Sequence, residues 1–146
     1  VQRALKNPTL AAQPVDFGAL RYGHNYVAGT DIDFLFERGG KVFLIGELKY
    51  KDTPLSSGQR IAMENLVKAI DDPDKDQHAA VVVLSHEVPP GQIIDITKAQ
   101  TKMAFYRNSR KPEVLAWYKA RHPDIRHALS VLQNRCKSIQ PIEFEE

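Results

Sequence analysis

This sequence predicts an α/β fold with a central mixed β-sheet flanked by helices. Three observations carry that expectation. Two strand-like segments, Ile32–Phe36 and Lys41–Leu48, flank a Gly39-Gly40 turn, the pattern of a tight hairpin. A helical stripe follows, and after it Ala79–Leu84 is a continuous apolar run bounded by polar sequence, as in a strand covered on both faces. The order hairpin, helix, buried strand, helices belongs to layered α/β domains.

Taken in order, the segment up to Gly29 is interrupted by Pro8 and Pro14, and Leu20–Val27 is a candidate strand. After the hairpin, Thr53-Pro54-Leu55-Ser56-Ser57 reads as a helix entry, with Ser56 and Ser57 as caps rather than nucleophiles. Ile61, Leu66, Val67 and Ile70 then fall on one stripe, and Asp71-Asp72-Pro73-Asp74 ends the helix. Val88-Pro89-Pro90-Gly91 is a loop. Helices are expected over Thr97–Tyr106, Pro112–Ala120 and Pro123–Lys137. With 146 residues the chain is expected to be one domain, its core at about 20–90 and a basic, mostly helical part at about 97–138.

Composition narrows the function classes. A hydrophobic fraction of 42% and a charged fraction of 26% are those of an ordinary globular protein. The single cysteine, Cys136, leaves no internal disulfide and no cysteine-based zinc cluster, and it is compatible with a reducing compartment. No apolar run is long enough to span a bilayer and no secretory pattern opens the chain, so the expected location is cytoplasmic, away from membranes. No Gly-x-Gly-x-x-Gly or Walker-type loop is present, which argues against a nucleotide cofactor. His78, His86, His122 and His127 lack the spacing of zinc ligands.

The net charge of +2 hides an uneven distribution. From Lys98 to Lys137 there are ten Lys/Arg against two acids, whereas from Lys41 to Asp95 there are six against nine. A basic block beside an acidic one suits a protein that grips a polyanion with one surface and holds cations with another, the alternative being a solvated basic helical face. Lys98, Lys102, Arg107, Arg110 and Lys111 are the candidate phosphate contacts, joined by Lys51 and Arg60 near the acidic segment, with Arg121, Arg126 and Arg135 extending the surface. Such contacts give affinity without sequence readout. No helix-turn-helix or zinc finger is evident, so specificity for a polyanion is expected from its shape or structure. Tyr22, His24 and Tyr26 alternate as on a half-exposed strand face or a cleft wall, where His24 could carry a proton. Trp117 and Tyr118 read as core residues in preference to base-stacking platforms.

The chemistry concentrates in the hairpin. Asp31 and Asp33 share one strand face, and Glu47 and Lys49 share a face on the next strand. In matching register, a carboxylate from each strand could hold one hard cation such as Mg²⁺. Such an ion acidifies water and neutralises charge growing on a phosphate, and Lys49 would point to the same place. A lone Glu-x-Lys means little, and surface ion pairs on a hairpin are the plain alternative; the apolar strand, acidic strand and following helix give the motif its weight.

Asp33, with Glu47-Leu48-Lys49 fourteen positions later, resembles the bipartite signature of the PD-(D/E)xK nuclease superfamily. The continuation through Leu55-Ser56-Ser57-Gly58-Gln59 resembles the E-x-K, linker, L-S-x-x-Q run of VRR-NUC and Holliday-junction-resolvase-like members. The likeness covers about Gly29–Ile70, with Ala79–Leu84 as the next core strand. It implies a restriction-endonuclease-like core and a Mg²⁺-dependent deoxyribonuclease, Mn²⁺ substituting, that acts on branched or otherwise structured DNA. It implies Asp33 and Glu47 as metal ligands together with the Leu48 backbone carbonyl. Lys49 would be the catalytic lysine, and Gln59 would contact the metal-bound water or a phosphate. Asp31 is either a further ligand or the true holder of the position given to Asp33. The carboxylate that many members carry on their first helix is either absent or supplied by Asp16 or Asp31. Met63 stands where RecB-like exonucleases have a tyrosine four residues after the glutamine. Symmetric junction cleavage needs two sites, so a homodimer is compatible. The alternative is a catalytically inactive nuclease-fold module that binds nucleic acid, or a subunit of a larger DNA-processing complex.

Overall fold

The computed structural model describes residues 19, 21, 22, 25, 26, 30–120, 124–141, 143 and 144. Pro8, Pro14, Asp16, His24, Arg121 and His122 therefore lie outside the described residues. The chain divides into two compact units, Val1–Asp31 and Ile32–Glu146. In the first, β1 (Arg21–Tyr22) and β2 (Asn25–Tyr26) pair antiparallel, so the expected single strand over Leu20–Val27 is instead a short hairpin.

The second unit is an α/β layer built on a five-stranded mixed sheet flanked by two helices. Its strands are β3 (Phe34–Arg38), β4 (Val42–Tyr50), β5 (His78–His86), β6 (Gln100–Arg107) and β7 (Leu115–Lys119), in spatial order β3-β4-β5-β6-β7. Only the β4–β5 pair is parallel; the other three are antiparallel. Gly39 and Gly40 turn β3 into β4 at φ +59° and +67°, a region costly for residues with a Cβ, and Lys41 N–H donates to the Arg38 carbonyl at 3.0 Å.

Helix α1 (Ser57–Ile70) is the crossover that parallel pairing of β4 and β5 requires. Ser56 caps it: its hydroxyl accepts from Gln59 N–H at 3.2 Å while the Gln59 side chain reaches back to the Ser56 backbone. Met63 and Val67 are its buried residues, and Ile61, expected in the apolar stripe, is 58% exposed. Helix α2 (Ile125–Arg135) is capped by Asp124, whose carboxylate accepts from Arg126 N–H.

Strand alternation sorts the core into two layers. Ile45, Ala79, Val81 and Phe105 pack with Met63 and Val67 under α1. Val42, Leu44, Ala80, Val82 and Leu84 pack with Ile125 and Leu132 under α2. Two ionic ties close the unit. The largely buried Asp71 carboxylate, just after α1, accepts from Ala79 N–H at 2.9 Å and Arg107 Nε at 2.9 Å. Asp76, at φ +54°, accepts from His78 Nε2 at 2.8 Å and from the Lys137 and Ser138 backbone, which pins the segment after α2.

The C-terminal part departs from expectation. Thr97–Tyr106 and Pro112–Ala120 were expected as helices and are instead β6 and β7, preceded by a 3-10 turn at Ile96–Lys98. Among the described residues there, only α2 is an α-helix, so the expected mostly helical region at 97–138 supplies two strands of the sheet.

Candidate active site

The parallel strands β4 and β5 end together, Tyr50 opposite His86 with their rings edge-on at 5.7 Å. In open α/β sheets the carboxyl ends of parallel strands form the usual ligand crevice. β3 runs the other way, so its start, immediately after Asp33, lies at the same end. Glu47 and Lys49 share the Ile45 face of β4, the face that α1 covers, and Gln59 occupies the first turn of that helix.

These side chains meet. Glu47 is 4% exposed. Its Oε1 lies 3.2 Å from Lys49 Nζ and accepts from Gln59 Nε2 at 3.0 Å. Lys49 Nζ also donates to Gln59 Oε1 at 3.0 Å, closing a three-way ring. The Gln59 oxygen further contacts Ser56 N and Oγ at 3.4 and 3.3 Å, so the cap that starts α1 also fixes the glutamine. The other Glu47 oxygen, Oε2, is buried without a hydrogen-bond partner among the described residues. Burial, and then the nearby Asp33 carboxylate, push the Glu47 carboxyl above its usual range, against the opposing pull of Lys49 and Gln59.

Asp33 lies at the mouth. Its Oδ2 accepts from Leu48 N–H at 2.6 Å, and its own N–H donates to the Gly46 carbonyl at 3.2 Å. Backbone groups two residues apart face the same way along a strand. The Leu48 carbonyl therefore faces the Asp33 side, where β3 has run out. Gly46 is required beneath: a Cβ there would lie 1.7 Å from Phe34 Cζ, because the Phe34 ring crosses the strand at that point. Packing of Phe34 on a glycine sets the height at which Asp33 meets Leu48.

Among the described residues no group of three or more His, Cys, Asp or Glu converges. Two carboxylates do, and one buried oxygen of the pair is unpartnered. That fits a hard cation held by two carboxylates and completed by water and phosphate oxygens. Asp31, exposed, closes the first unit.

The expected phosphate contacts divide by position. Lys51 follows β4, and Lys98 and Lys102 flank the start of β6, which is level with the end of β5; Lys102 Nζ is 3.9 Å from Asp52 in the turn after β4. Arg60 is engaged by Glu64 at 3.1 Å and lies over the Trp117 ring at 5.6 Å, while Trp117 Nε1 donates to the same Glu64 oxygen at 2.6 Å. Arg107, Arg110 and Lys111 lie at the opposite end of the sheet, and Arg107 is occupied by Asp71 and by the Pro112 carbonyl at 2.5 Å. Arg126 pairs with Asp124. The sequence reading missed Ser56 as a brace for Gln59, although the Ser-x-x-Gln capping spacing signals it, and it missed His86, whose place beside Tyr50 depends on the parallel register. No known family model, curated protein or solved structure matches this chain.

Proposed function

We propose that this chain is a metal-dependent nuclease of the PD-(D/E)xK type, with a restriction-endonuclease-like core, that hydrolyses phosphodiester bonds in branched or junction DNA. The observation that carries the proposal is the buried, unpartnered Glu47 Oε2 beside Asp33, with Lys49 and Gln59 locked to the other Glu47 oxygen. Asp33, Glu47 and the Leu48 carbonyl would hold Mg²⁺ or Mn²⁺. A bound ion there supplies a more acidic water and positive charge against the phosphate. Lys49 then presents a fixed ammonium to charge growing in the transition state, held in place by Gln59 rather than by mobile solvent. Lys51, Lys98 and Lys102 place positive charge at the same end of the sheet, where a phosphate backbone would approach.

The test is a panel of linear, nicked, flap and four-way-junction DNAs plus RNA, each with Mg²⁺, Mn²⁺ or chelator. Metal-dependent cutting that favours branched DNA is expected. Uncut substrates throughout, or cutting that survives chelation, would overturn the proposal. One observation favours a second reading, a nuclease-fold module that binds nucleic acid without cutting it: no three-carboxylate cluster forms among the described residues. Calorimetry with Mn²⁺ separates the two, since a relic site takes up no metal.

A further inference from the structure

A concavity lies on the other face of the sheet. It has a volume of about 640 Å³ and runs between β6, β7 and α2, within the size range of small-ligand sites. Its floor is formed by Leu44 and Val82 and by the small side chains of Ala80, Ala104 and Ala128. These residues belong to the α2 layer, whereas Glu47 and Lys49 face α1, so the two sites are on opposite sides. Three observations set its chemistry.

The first is a pair of ring faces. Tyr106 and Tyr118 both line the cavity, with centroids 4.9 Å apart at 47°. The second is charge. Arg110 and Arg135 line it, and among the described residues neither has an ion pair. The one acid in the lining, Asp124, is already taken by Arg126. Arg135 donates to the Arg107 carbonyl and lies 5.4 Å over the Tyr106 ring; burial holds its guanidinium below the usual arginine range. Its attraction to Asp71 is shared with Arg107, which Asp71 engages directly, so Arg135 has no close ion pair of its own and is better satisfied when an anion arrives. The third is Thr101, 6% exposed in the cavity wall, whose Oγ1 has no hydrogen-bond partner among the described residues.

We propose that this cavity binds a nucleoside phosphate, the base against Tyr106 and Tyr118 and the phosphate held by Arg110 and Arg135. Bases stack on aromatic faces regardless of sequence, and arginine binds phosphate in a bidentate fork. The nucleoside part of the assignment rests on the nuclease reading above; the preference for a planar anion does not. The same chemistry is presented by a free mononucleotide and by the terminal nucleotide of a strand.

The probes are deoxyadenosine 5′-monophosphate, deoxyadenosine and a 5′-phosphorylated oligothymidine, titrated calorimetrically with chelator present into the wild type, Lys49→Ala and Arg110→Ala. Arg110 is exposed, so folding is not at stake. The monophosphate is expected to bind the wild type and Lys49→Ala equally, and Arg110→Ala about tenfold or more weakly. Tyr118→Leu, which keeps the apolar volume, should weaken it as well. Binding of the oligothymidine alone assigns the cavity to strand ends; binding of both assigns it to free nucleotide too. No binding of either at millimolar concentration, equal binding by Arg110→Ala, or deoxyadenosine binding as tightly as its monophosphate overturns the proposal. Lys49→Ala separates this result from the nuclease reading, because its loss of cleavage leaves this titration unchanged.

Discussion

Replacing Glu47 by glutamine tests whether the site is strained in the absence of metal. The change keeps the volume and removes the charge. In the wild type, Glu47 Oε2 is buried without a hydrogen-bond partner among the described residues, and Asp33 adds repulsion. An unpartnered buried acceptor costs about 1–3 kcal/mol. The Lys49 and Gln59 bonds to Oε1 recover part of this, but the carboxyl remains raised, so the ionised form is disfavoured on balance. Glu47→Gln should therefore have the higher Tm in mildly alkaline buffer with chelator. The sign with pH follows from linkage. A group whose pKa is higher in the folded state contributes stability below its unfolded-state value and loses it as the pH rises through the folded-state value. The advantage of the variant is thus absent in acid, where both side chains are neutral, and opens above the ordinary Glu range. Mn²⁺ should reverse the order, since a ligand at a hundredfold excess over its Kd adds about 2.7 kcal/mol to the protein that binds it. Thermal melts of both proteins across pH, with chelator and with Mn²⁺, provide the measurement. A variant less stable than wild type under chelation in mildly alkaline buffer, or an equal Mn²⁺ shift in both, would refute the reasoning.

Asp33→Asn should weaken Mn²⁺ binding by about tenfold or more in calorimetry while leaving junction binding largely intact, because it removes one of two ligand charges. Gly46→Ala should cost about 1–3 kcal/mol in urea unfolding, since its Cβ would fall 1.7 Å from Phe34 Cζ, and Phe34→Ala in the same chain should recover much of the loss. Arg107→Gln should cost about 3 kcal/mol, because it strands the Asp71 carboxylate, whose side chain is 4% exposed. The salt dependence of DNA binding should not change in that variant, because Arg107 is placed here as a structural partner rather than a phosphate contact.

The meeting of the candidate-site side chains was legible in the sequence because they are local. Asp33, Glu47 and Lys49 occupy adjacent strands of one hairpin and Gln59 opens the next helix, so alternation and capping spacing bring them together. The helix over 57–70 and the buried strand over 78–86 were visible for the same reason. β6 was not. The register shifts between Val83 and Leu84, which face Met103 and Thr101, so Lys102 falls in an irregularity that breaks period-two alternation, and Lys, Met and Ala are good helix formers. β7 failed differently. Leu115 and Trp117 pack on the α1 layer while Tyr118 turns to the other face, yet all are apolar or aromatic, so no alternation shows, and Pro112-Glu113 imitates a helix start. The basic block was counted correctly along the chain, but a strand reversal carries Arg107, Arg110 and Lys111 to the far end of the sheet, which no linear count reveals.

The most direct measurement is single-turnover cleavage of a four-way junction in Mg²⁺ by wild type and by Lys49→Ala, with junction binding recorded in parallel. A loss of about a hundredfold or more in rate with affinity nearly unchanged is expected, because the lysine acts on charge that appears only in the transition state. A variant that cuts at the wild-type rate would contradict that expectation.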